Sequence, residues 1–140
     1  MPPARSRLRS AGAGLGHRSD DLRDLRILIA EDEFLLGVQL EEDLRSAGCP
    51  IVGPFSTLEM ATQAAHRERF DVAILDINLN GSMVYPLADE LSARGVPFVF
   101  LTGYISASLP ERFKQAPRLA KPHDPAALLK ELQAAVRKAN

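Results

Sequence analysis

Residues 27–33 read Ile-Leu-Ile-Ala-Glu-Asp-Glu, four apolar residues followed directly by three acidic ones. A continuous apolar run of this length is typical of a strand that is covered on both faces, as strands are in parallel sheets. The pattern returns at residues 72–76, Val-Ala-Ile-Leu-Asp, where the apolar run again stops at a carboxylate. These two stretches predict buried parallel strands whose carboxyl ends carry acidic side chains.

Outward from these two runs, strand-like and helical segments alternate along the chain. Strands are predicted to begin near residues 27, 51, 72, 97 and 118. The spacing between successive starts fits a strand, a helix and short turns, repeated without interruption. Helices are predicted over 34–47, 56–69, 82–93, 106–115 and 124–140. The predicted fold class is therefore α/β: a five-stranded parallel sheet with five flanking helices, in the flavodoxin-like, doubly wound (βα)5 arrangement.

The composition excludes several classes of protein. The chain has 140 residues, of which 46% are hydrophobic and 25% charged, as in one globular domain. Its longest apolar run, at 96–101, is far shorter than the ~18–20 residues that span a bilayer. A single cysteine, Cys49, excludes an internal disulfide, and the net charge of −1 provides no general attraction to nucleic acid. We therefore expect a cytoplasmic protein that binds neither membranes nor nucleic acid.

The N-terminal segment differs from the rest of the chain in composition. Residues 1–26 contain six Arg and three Asp, whereas residues 27–140 are net acidic. Pro, Ser, Gly and Arg with few large apolar residues cannot bury enough surface to offset the entropy of ordering. We predict a disordered basic tail over residues 1–24 and one folded domain over 25–140. An arm that binds nucleic acid or membranes is the alternative, and the absence of aromatic residues argues against it.

Polar residues stand at the carboxyl ends of the predicted strands. Glu31 and Asp32 follow the first strand, Asp76 ends the third, Thr102 the fourth and Lys121 the fifth. Parallel strands bring these ends to one edge of the sheet, where such folds bind ligands. Three converging carboxylates require a cation, and oxygen ligands without His or Cys favour Mg²⁺. A carboxylate beside the metal, with an ammonium and a hydroxyl opposite, can attack phosphorus and form an acyl phosphate.

Taken together, these residues resemble the receiver domain of bacterial two-component response regulators. The resemblance covers residues 25 to about 138 and rests on residues 27–33, residues 72–76, Thr102-Gly103 and Lys121-Pro122. It implies a stand-alone receiver that accepts a phosphoryl group from a histidine kinase or a phosphotransfer protein. Apart from self-phosphorylation and autodephosphorylation, no enzymatic activity is expected. Output would run through phosphorylation-dependent binding of an unknown downstream protein, or the chain would act as a phosphate sink or relay.

The resemblance also implies roles for the acidic residues. Asp76 is expected to be the phospho-acceptor. Asp32 and Asp76 are expected to bind Mg²⁺ directly, Glu31 through a water molecule, and the backbone carbonyl of Asn78 is expected to complete the metal site.

Four further positions are expected to bind or release the phosphoryl group. The resemblance implies that Lys121 pairs with one phosphoryl oxygen and that the hydroxyl of Thr102, the switch residue, takes another. The Lys121-Pro122 peptide bond is cis in the family. Asn78 and Tyr104 each stand two residues after the acceptor or the switch residue. We therefore expect their side chains to flank the attacking water and to set the phosphoryl lifetime.

The output side departs from the family's usual pattern. Asn80 stands where receivers usually have a proline, and Arg118 stands where they usually have an aromatic residue. The stretch at 97–104, Pro-Phe-Val-Phe-Leu-Thr-Gly-Tyr, is similar to the FAT GUY subclass. Because burying an unpaired guanidinium is costly, Arg118 is expected to stay at the surface. We therefore predict that output runs through the loop at 103–108, where Gly103 provides freedom and Tyr104 is the mobile aromatic.

Two other functions remain as alternatives. A Mg²⁺-dependent aspartyl phosphohydrolase of the haloacid-dehalogenase type also uses a strand-end Asp. That class places a second catalytic Asp two residues later, where this chain has Asn78. A non-phosphorylated interaction module of flavodoxin-like fold is the other alternative. It would have no need for Asp32, Asp76, Thr102 and Lys121 together.

The remaining candidate residues have no assigned chemistry. Phe34, Leu35 and Val38 lie off the apolar face of the first predicted helix, where they are either half-buried or dock a partner helix. The histidines show no metal-type spacing, and we expect all of them at the surface: His17, His66 and His123.

Overall fold

In the computed structural model, which describes residues 22–103 and 108–140, strands and helices alternate along the chain. The described strands are β1 (Ile27–Ala30), β2 (Ile51–Phe55), β3 (Val72–Asp76), β4 (Asn78–Leu79), β5 (Ser82–Met83), β6 (Phe98–Thr102) and β7 (Arg118–Ala120). The described helices are α1 (Phe34–Ser46), α2 (Leu58–Arg67), α3 (Tyr85–Ala93) and α4 (Pro125–Ala139). None of these helices is both long and apolar enough to cross a membrane.

Five strands form one parallel sheet, in the order β2-β1-β3-β6-β7. The chain first adds β2 on one side of β1 and then returns to add β3 on the other side. The strand order therefore reverses between β1 and β3, and a crevice opens there at the carboxyl ends of the strands. The predicted doubly wound α/β fold with a five-stranded parallel sheet is confirmed.

The sheet separates two apolar layers. Alternate residues of β1 point to opposite faces, as the two-residue repeat of a strand requires. Ile27 and Ile29 pack in the layer that contains α1 and α4. Leu28 and Ala30 pack in the layer that contains α2 and α3. All four are fully buried, which explains why the run shows no polar alternation.

The fourth predicted helix is wrong in the part of it that the structure describes. The prediction ran from 106 to 115, of which 106 and 107 lie outside the described residues. Over residues 108–115 the helical backbone is limited to a single 3-10 turn at Glu111–Phe113. Proline at 110 explains this, because its ring disfavours helical backbone at Leu109. Phe113 is nevertheless buried, and its ring stacks on Tyr85.

The predicted start of the third helix at Ser82 is also wrong. Ser82 lies in β5, which pairs with β4 in a two-stranded antiparallel hairpin. The hairpin turns at Asn80 (φ 51°) and Gly81 (φ 91°), left-handed values that an Asn-Gly pair adopts readily. Helix α3 then starts at Tyr85. The Asn-Gly dipeptide was the available signal for this turn.

The folded unit includes residues that we assigned to the N-terminal tail. Leu22 is buried in the layer formed by α1 and α4. The backbone N–H of Asp24 donates a 2.9 Å hydrogen bond to the carbonyl of Gly48. Residues 22–24 therefore belong to the domain, and the rest of the predicted tail lies outside the described residues.

Candidate functional site

The site is built at the carboxyl ends of two neighbouring strands. Ala30 and Leu75 are paired in register across β1 and β3. Glu31 and Asp76, the residues that follow them, therefore emerge side by side at the crevice. Both are buried, with only 3% of Glu31 and 4% of Asp76 exposed. Two carboxylates at this depth require a positive charge close by.

Three carboxylates meet at this point. One oxygen each of Glu31, Asp32 and Asp76 lies within 4.8 Å of the other two. Oε2 of Glu31 accepts a 2.8 Å hydrogen bond from the backbone N–H of Glu33. Its other oxygen, Oε1, is buried 3.2 Å from the ammonium of Lys121 but accepts no hydrogen bond from any described residue. A buried acceptor in an all-oxygen cluster suits a hard divalent cation such as Mg²⁺, so the residues present fit that metal.

The positive charge comes from Lys121, which directly follows β7. Its ammonium nitrogen, Nζ, donates to Oδ2 of Asp76 at 3.0 Å, Oε1 of Glu33 at 2.8 Å and Oε2 of Glu31 at 3.3 Å. The side chain is only 13% exposed. Burial acts to lower the pKa of Lys121, but the surrounding carboxylates outweigh it and raise that pKa above its usual range. Lys121 is therefore a permanent cation opposite the acidic cluster.

The acidic residues differ in how readily they ionise. Burial raises the pKa of Glu31 to about 7. Burial also raises the pKa of Asp76, although the hydrogen bond from Lys121 opposes this effect. At Asp32, hydrogen bonds led by the one from the backbone N–H of Asn80 outweigh burial and hold the pKa below its usual range. Asp32 is thus the most readily ionised of the three carboxyl groups.

The hairpin β4–β5 forms one wall of the cluster. The backbone N–H of Asn80 donates a 2.8 Å hydrogen bond to Oδ2 of Asp32. The backbone N–H of Asn78 donates to Oδ1 of Asp76 at 3.3 Å. The side chain of Asn78 accepts a 2.7 Å hydrogen bond from the backbone N–H of Gly81 and so closes the turn. The hairpin therefore orients both aspartates through backbone donors.

The arrangement of a buried acidic cluster, a lysine and a strand-end threonine matches one known family. Residues 27–133 match the family model for the response regulator receiver domain. This chain belongs to the response regulator receiver domain family. Receiver domains bind Mg²⁺ at an acidic pocket and interact with histidine kinases or phosphotransfer proteins.

Several known proteins are similar to this receiver. The transcriptional regulatory protein PdtaR of Mycobacterium tuberculosis is 32% identical over 115 residues, which are 79% of this chain and 56% of PdtaR. The chain thus spans about half the length of this curated relative. The solution structure of SdrG from Sphingomonas melonis is 38% identical with a TM-score of 0.73, covering 81% of this chain and 97% of SdrG. A response regulator structure from Chloroflexus aurantiacus is 27% identical with a TM-score of 0.72, covering 82% of this chain and 99% of that one.

The structure describes only some of the residues that are expected to act as the switch. Thr102 ends β6 and is buried, and its carbonyl accepts a 2.9 Å hydrogen bond from the backbone N–H of Lys121. Gly103 is exposed and has open space around it. Tyr104 lies outside the described residues. Arg118 is half-buried at the edge of the sheet, and its guanidinium reaches the carbonyl of Lys114 at 3.4 Å.

Two residues near the site were missed by the sequence analysis. Glu33 precedes α1, and its carboxylate pairs with Lys121 although the two residues are 88 positions apart. The side chain of His123, expected at the surface, is only 2% exposed and lies 2.6 Å from a carboxylate oxygen of Asp43. No pattern in the neighbouring sequence predicts either contact. His66, as expected, is exposed, and it pairs with Glu90.

The exposed apolar residues of α1 lie beside this site. Phe34 and Leu35 are 79% and 78% exposed, and Val38 is also exposed. Leu40 and Leu44 are fully buried on the opposite side of the helix. The prediction that Phe34, Leu35 and Val38 lie off the apolar face is therefore confirmed, and Phe34 and Leu35 are largely exposed.

Proposed function

We propose that this receiver accepts a phosphoryl group on Asp76 from a histidine kinase or a phosphotransfer protein, in a Mg²⁺-dependent reaction. One observation carries the proposal. The buried carboxylate of Asp76 lies 3.0 Å from the ammonium of Lys121 and within 4.8 Å of oxygens of Glu31 and Asp32. A nucleophilic oxygen, a fixed cation and a set of hard metal ligands thus meet at one point.

The chain's own residues take distinct parts in this reaction. Asp32, Asp76 and the carbonyl of Asn78 would hold Mg²⁺, and Glu31 would support it through a water molecule. When bound, the metal balances the negative charge that gathers as the phosphoryl group approaches. An oxygen of Asp76 bonds to phosphorus as the bond from phosphorus to the donor's imidazole nitrogen breaks, and that electron pair stays on the imidazole.

The phosphoryl oxygens are bound from the opposite side. Lys121 pairs with one of them, and the hydroxyl of Thr102 takes another. Lys121 carries three N–H donors, and in this structure all three are directed to carboxylates. Binding the phosphoryl group therefore redistributes the contacts of this ammonium, and the charge change is transmitted to Glu33 and α1.

Output is proposed to run through the loop at 103–108. Arg118 is held at the sheet edge and carries a permanent charge, so it is a poor substitute for an aromatic residue that swings inward. Gly103 begins the loop, and a Cβ added there would meet no described atom within 4 Å; Tyr104 follows it in the sequence. Asn78 and Tyr104, the latter outside the described residues, are proposed to set the lifetime of the acyl phosphate. Mapping amide exchange with and without beryllofluoride, a phosphoryl mimic, tests this route, and changes confined to Arg118 would refute it.

The downstream step is proposed to be non-enzymatic. The phosphorylated receiver binds a downstream cytoplasmic protein, or serves as a phosphate sink or relay. The exposed residues Phe34, Leu35 and Val38, which follow Glu33 in the chain, form an apolar strip on α1 that suits docking of a partner helix. The phosphohydrolase alternative is not favoured, because Asn78 occupies the position of that class's second Asp and its side chain closes the hairpin.

The test is phosphoryl labelling of Asp76→Asn with acetyl phosphate or a phosphorylated kinase. The amide is nearly isosteric but is a poor nucleophile, so labelling is expected to be lost while the circular dichroism spectrum is retained. Asp89→Asn is the matched control, since Asp89 lies at the surface in an ion pair with Arg112. Asp89→Asn is expected to label normally, and undiminished labelling of Asp76→Asn would refute the assignment.

A further inference from the structure

The segment that carries Lys121 is attached to α1 at two points. Lys121 itself pairs with Glu33, the residue just before the helix. Two residues later, Nε2 of His123 lies 2.6 Å from Oδ2 of Asp43, in the third turn of α1. The second contact is largely buried, because the side chains of His123 and Asp43 are 2% and 17% exposed. It is therefore a specific tether, unlike an ordinary surface ion pair.

The backbone at Lys121 needs such a tether, because the strand before it is weakly held. Strand β7 has three residues and lies at the edge of the sheet, where it pairs with β6 alone. The backbone N–H of Lys121 donates to Thr102, and this hydrogen bond is its link to the sheet. Pro122, which follows, has no N–H to donate. Among the described residues, the next attachment along the chain is His123 to Asp43.

The carboxylate of Asp43 is oriented for this contact. The side-chain amide of Gln39 donates a 3.1 Å hydrogen bond to Oδ1 of Asp43, and His123 contacts the other oxygen. Each carboxylate oxygen thus has its own partner. Directly after His123, the side chain of Asp124 accepts a hydrogen bond from the backbone N–H of Ala127 and begins α4. The chain is therefore held on both sides of Lys121, by β6 before it and by α1 and α4 after it.

We propose that the His123–Asp43 pair is a positioning element for the phosphoryl-binding lysine. By holding the backbone after Lys121 against α1, it keeps the ammonium over Asp76. Neither residue touches the reacting atoms, and the proposal rests on the proposed function of Lys121 as a phosphoryl ligand. Displacing a charged group by about 1 Å in such a site costs up to 10²-fold in rate or affinity.

The experiment compares two affinities in Asp43→Ala and His123→Ala. Affinity for Mg²⁺ alone depends on the carboxylates and is opposed by the ammonium of Lys121, whereas affinity for beryllofluoride in saturating Mg²⁺ requires both. We expect beryllofluoride binding to weaken about tenfold while Mg²⁺ binding does not weaken. Equal weakening of both would show a merely structural role, and unchanged beryllofluoride binding would show no role. Either result would overturn the proposal.

Two further variants complete the test. Asp43→Asn keeps an oxygen that can accept from His123, so it is expected to retain most of the beryllofluoride affinity and to fold even where the alanine variants do not. If the beryllofluoride affinity of Asp43→Asn fell to that of Asp43→Ala, positioning by this contact would be contradicted. Glu90→Ala is the matched control, because it removes the other described His–carboxylate pair, the exposed contact with His66. It is expected to change neither affinity.

A measurement on the ligand-free protein separates this proposal from the proposed function. NMR order parameters of the Lys121 side chain are expected to fall in Asp43→Ala relative to the parent. Unchanged order would overturn the positioning role whatever the phosphoryl chemistry. Failure of the parent protein to bind beryllofluoride would instead refute the proposed function, and the order parameters would still decide whether Asp43 positions Lys121.

Discussion

The ammonium of Lys121 lies closer to Glu33 than to Asp76, at 2.8 Å against 3.0 Å. Glu33 is largely exposed at the start of α1, whereas Asp76 is buried. The lysine therefore links the buried acidic cluster to the exposed start of α1. This makes it both the counter-charge of the cluster and a competitor for any cation that binds there.

Replacing Lys121 by Met is expected to change two affinities in opposite directions. Mg²⁺ binding should strengthen, because the ammonium no longer competes for Glu31 and Asp76. Beryllofluoride binding should weaken, because its cationic ligand is lost. Without Mg²⁺ the variant should lose about 3 kcal/mol in free energy of unfolding, since the carboxylates are left buried and unpaired.

Calorimetric titration and urea denaturation check these three expectations. Lys114→Met is the control, because Lys114 pairs with Glu111 at an exposed site. It should change stability by less than about 0.5 kcal/mol. A Lys121→Met variant that binds Mg²⁺ less tightly than the parent would contradict the competition.

Mg²⁺ affinity is expected to fall more in Asp32→Ala than in Glu31→Gln. Asp32 is proposed as a direct ligand and Glu31 as a ligand through water. Loss of a water-mediated carboxylate costs about tenfold in metal affinity, and loss of a direct bond should cost at least ten times more. Titration of both variants with Mg²⁺ measures the order. The reverse order would make Glu31 the direct ligand.

Asn80 is expected to support the metal site through its backbone alone. Asn80→Gly keeps the N–H that donates to Asp32 and suits the left-handed φ, so Mg²⁺ affinity should stay near that of the parent. Asn80→Pro removes the donor and cannot adopt a φ of 51°, so Mg²⁺ affinity should fall several-fold and the pKa of Asp32 should rise. Calorimetry and carboxyl carbon NMR measure the two effects. Equal affinity of the two variants would rule out the hydrogen bond as a support.

Glu31 is expected to make stability depend on pH. Its pKa is about 7 in the folded protein against an ordinary value of 4.5, so the folded state binds more protons than the unfolded state between these values. The contribution of Glu31 to the free energy of unfolding therefore falls as pH rises from about 4.5 to about 7, by up to about 3 kcal/mol. It levels off above that window.

Comparison with Glu31→Gln isolates this contribution. The variant and the parent should be about equally stable at pH 4.5, and the variant should be the more stable at pH 8. Saturating Mg²⁺ at pH 8 should reduce the difference, because the metal stabilises the parent more strongly. A variant less stable than the parent at pH 8 without Mg²⁺ would contradict the raised pKa.

Gly53→Ala is expected to be strongly destabilising. Gly53 has a φ of 112°, and an added Cβ would lie 2.8 Å from the backbone carbonyl oxygen of Ile29 in β1. Gly95→Ala is the matched control, since its φ is 73° with nothing within 4 Å of the new atom. We expect about 1 kcal/mol of lost stability for Gly95→Ala and at least about 2 kcal/mol more for Gly53→Ala. Urea denaturation measures both, and equal losses would show that β1 moves aside freely.

The elements that local pattern predicts best are the buried strands. Up to Ala30 in β1 and Leu75 in β3, every residue is apolar, because both faces of these strands are covered and consecutive residues are buried. The start of α4 was equally visible, because Asp124 and Pro125 are a side-chain cap followed by a residue preset for the first turn. The helix expected at 106–115 is absent from its described part, because Pro110 disfavours helical backbone at the residue before it.

The pattern of apolar runs was enough to place Glu31, Asp32, Asp76, Thr102 and Lys121 at strand ends, and parallel pairing brings such ends to one edge. Which side chains touch there depends on the packing of the whole fold. Lys121 and Glu33 are 88 residues apart, and His123 and Asp43 are 80 residues apart. Contacts of this range depend on how α1 packs against the sheet and on where β7 ends. No local propensity encodes such packing, because it results from the fit of the whole apolar layer between the helices and the strands.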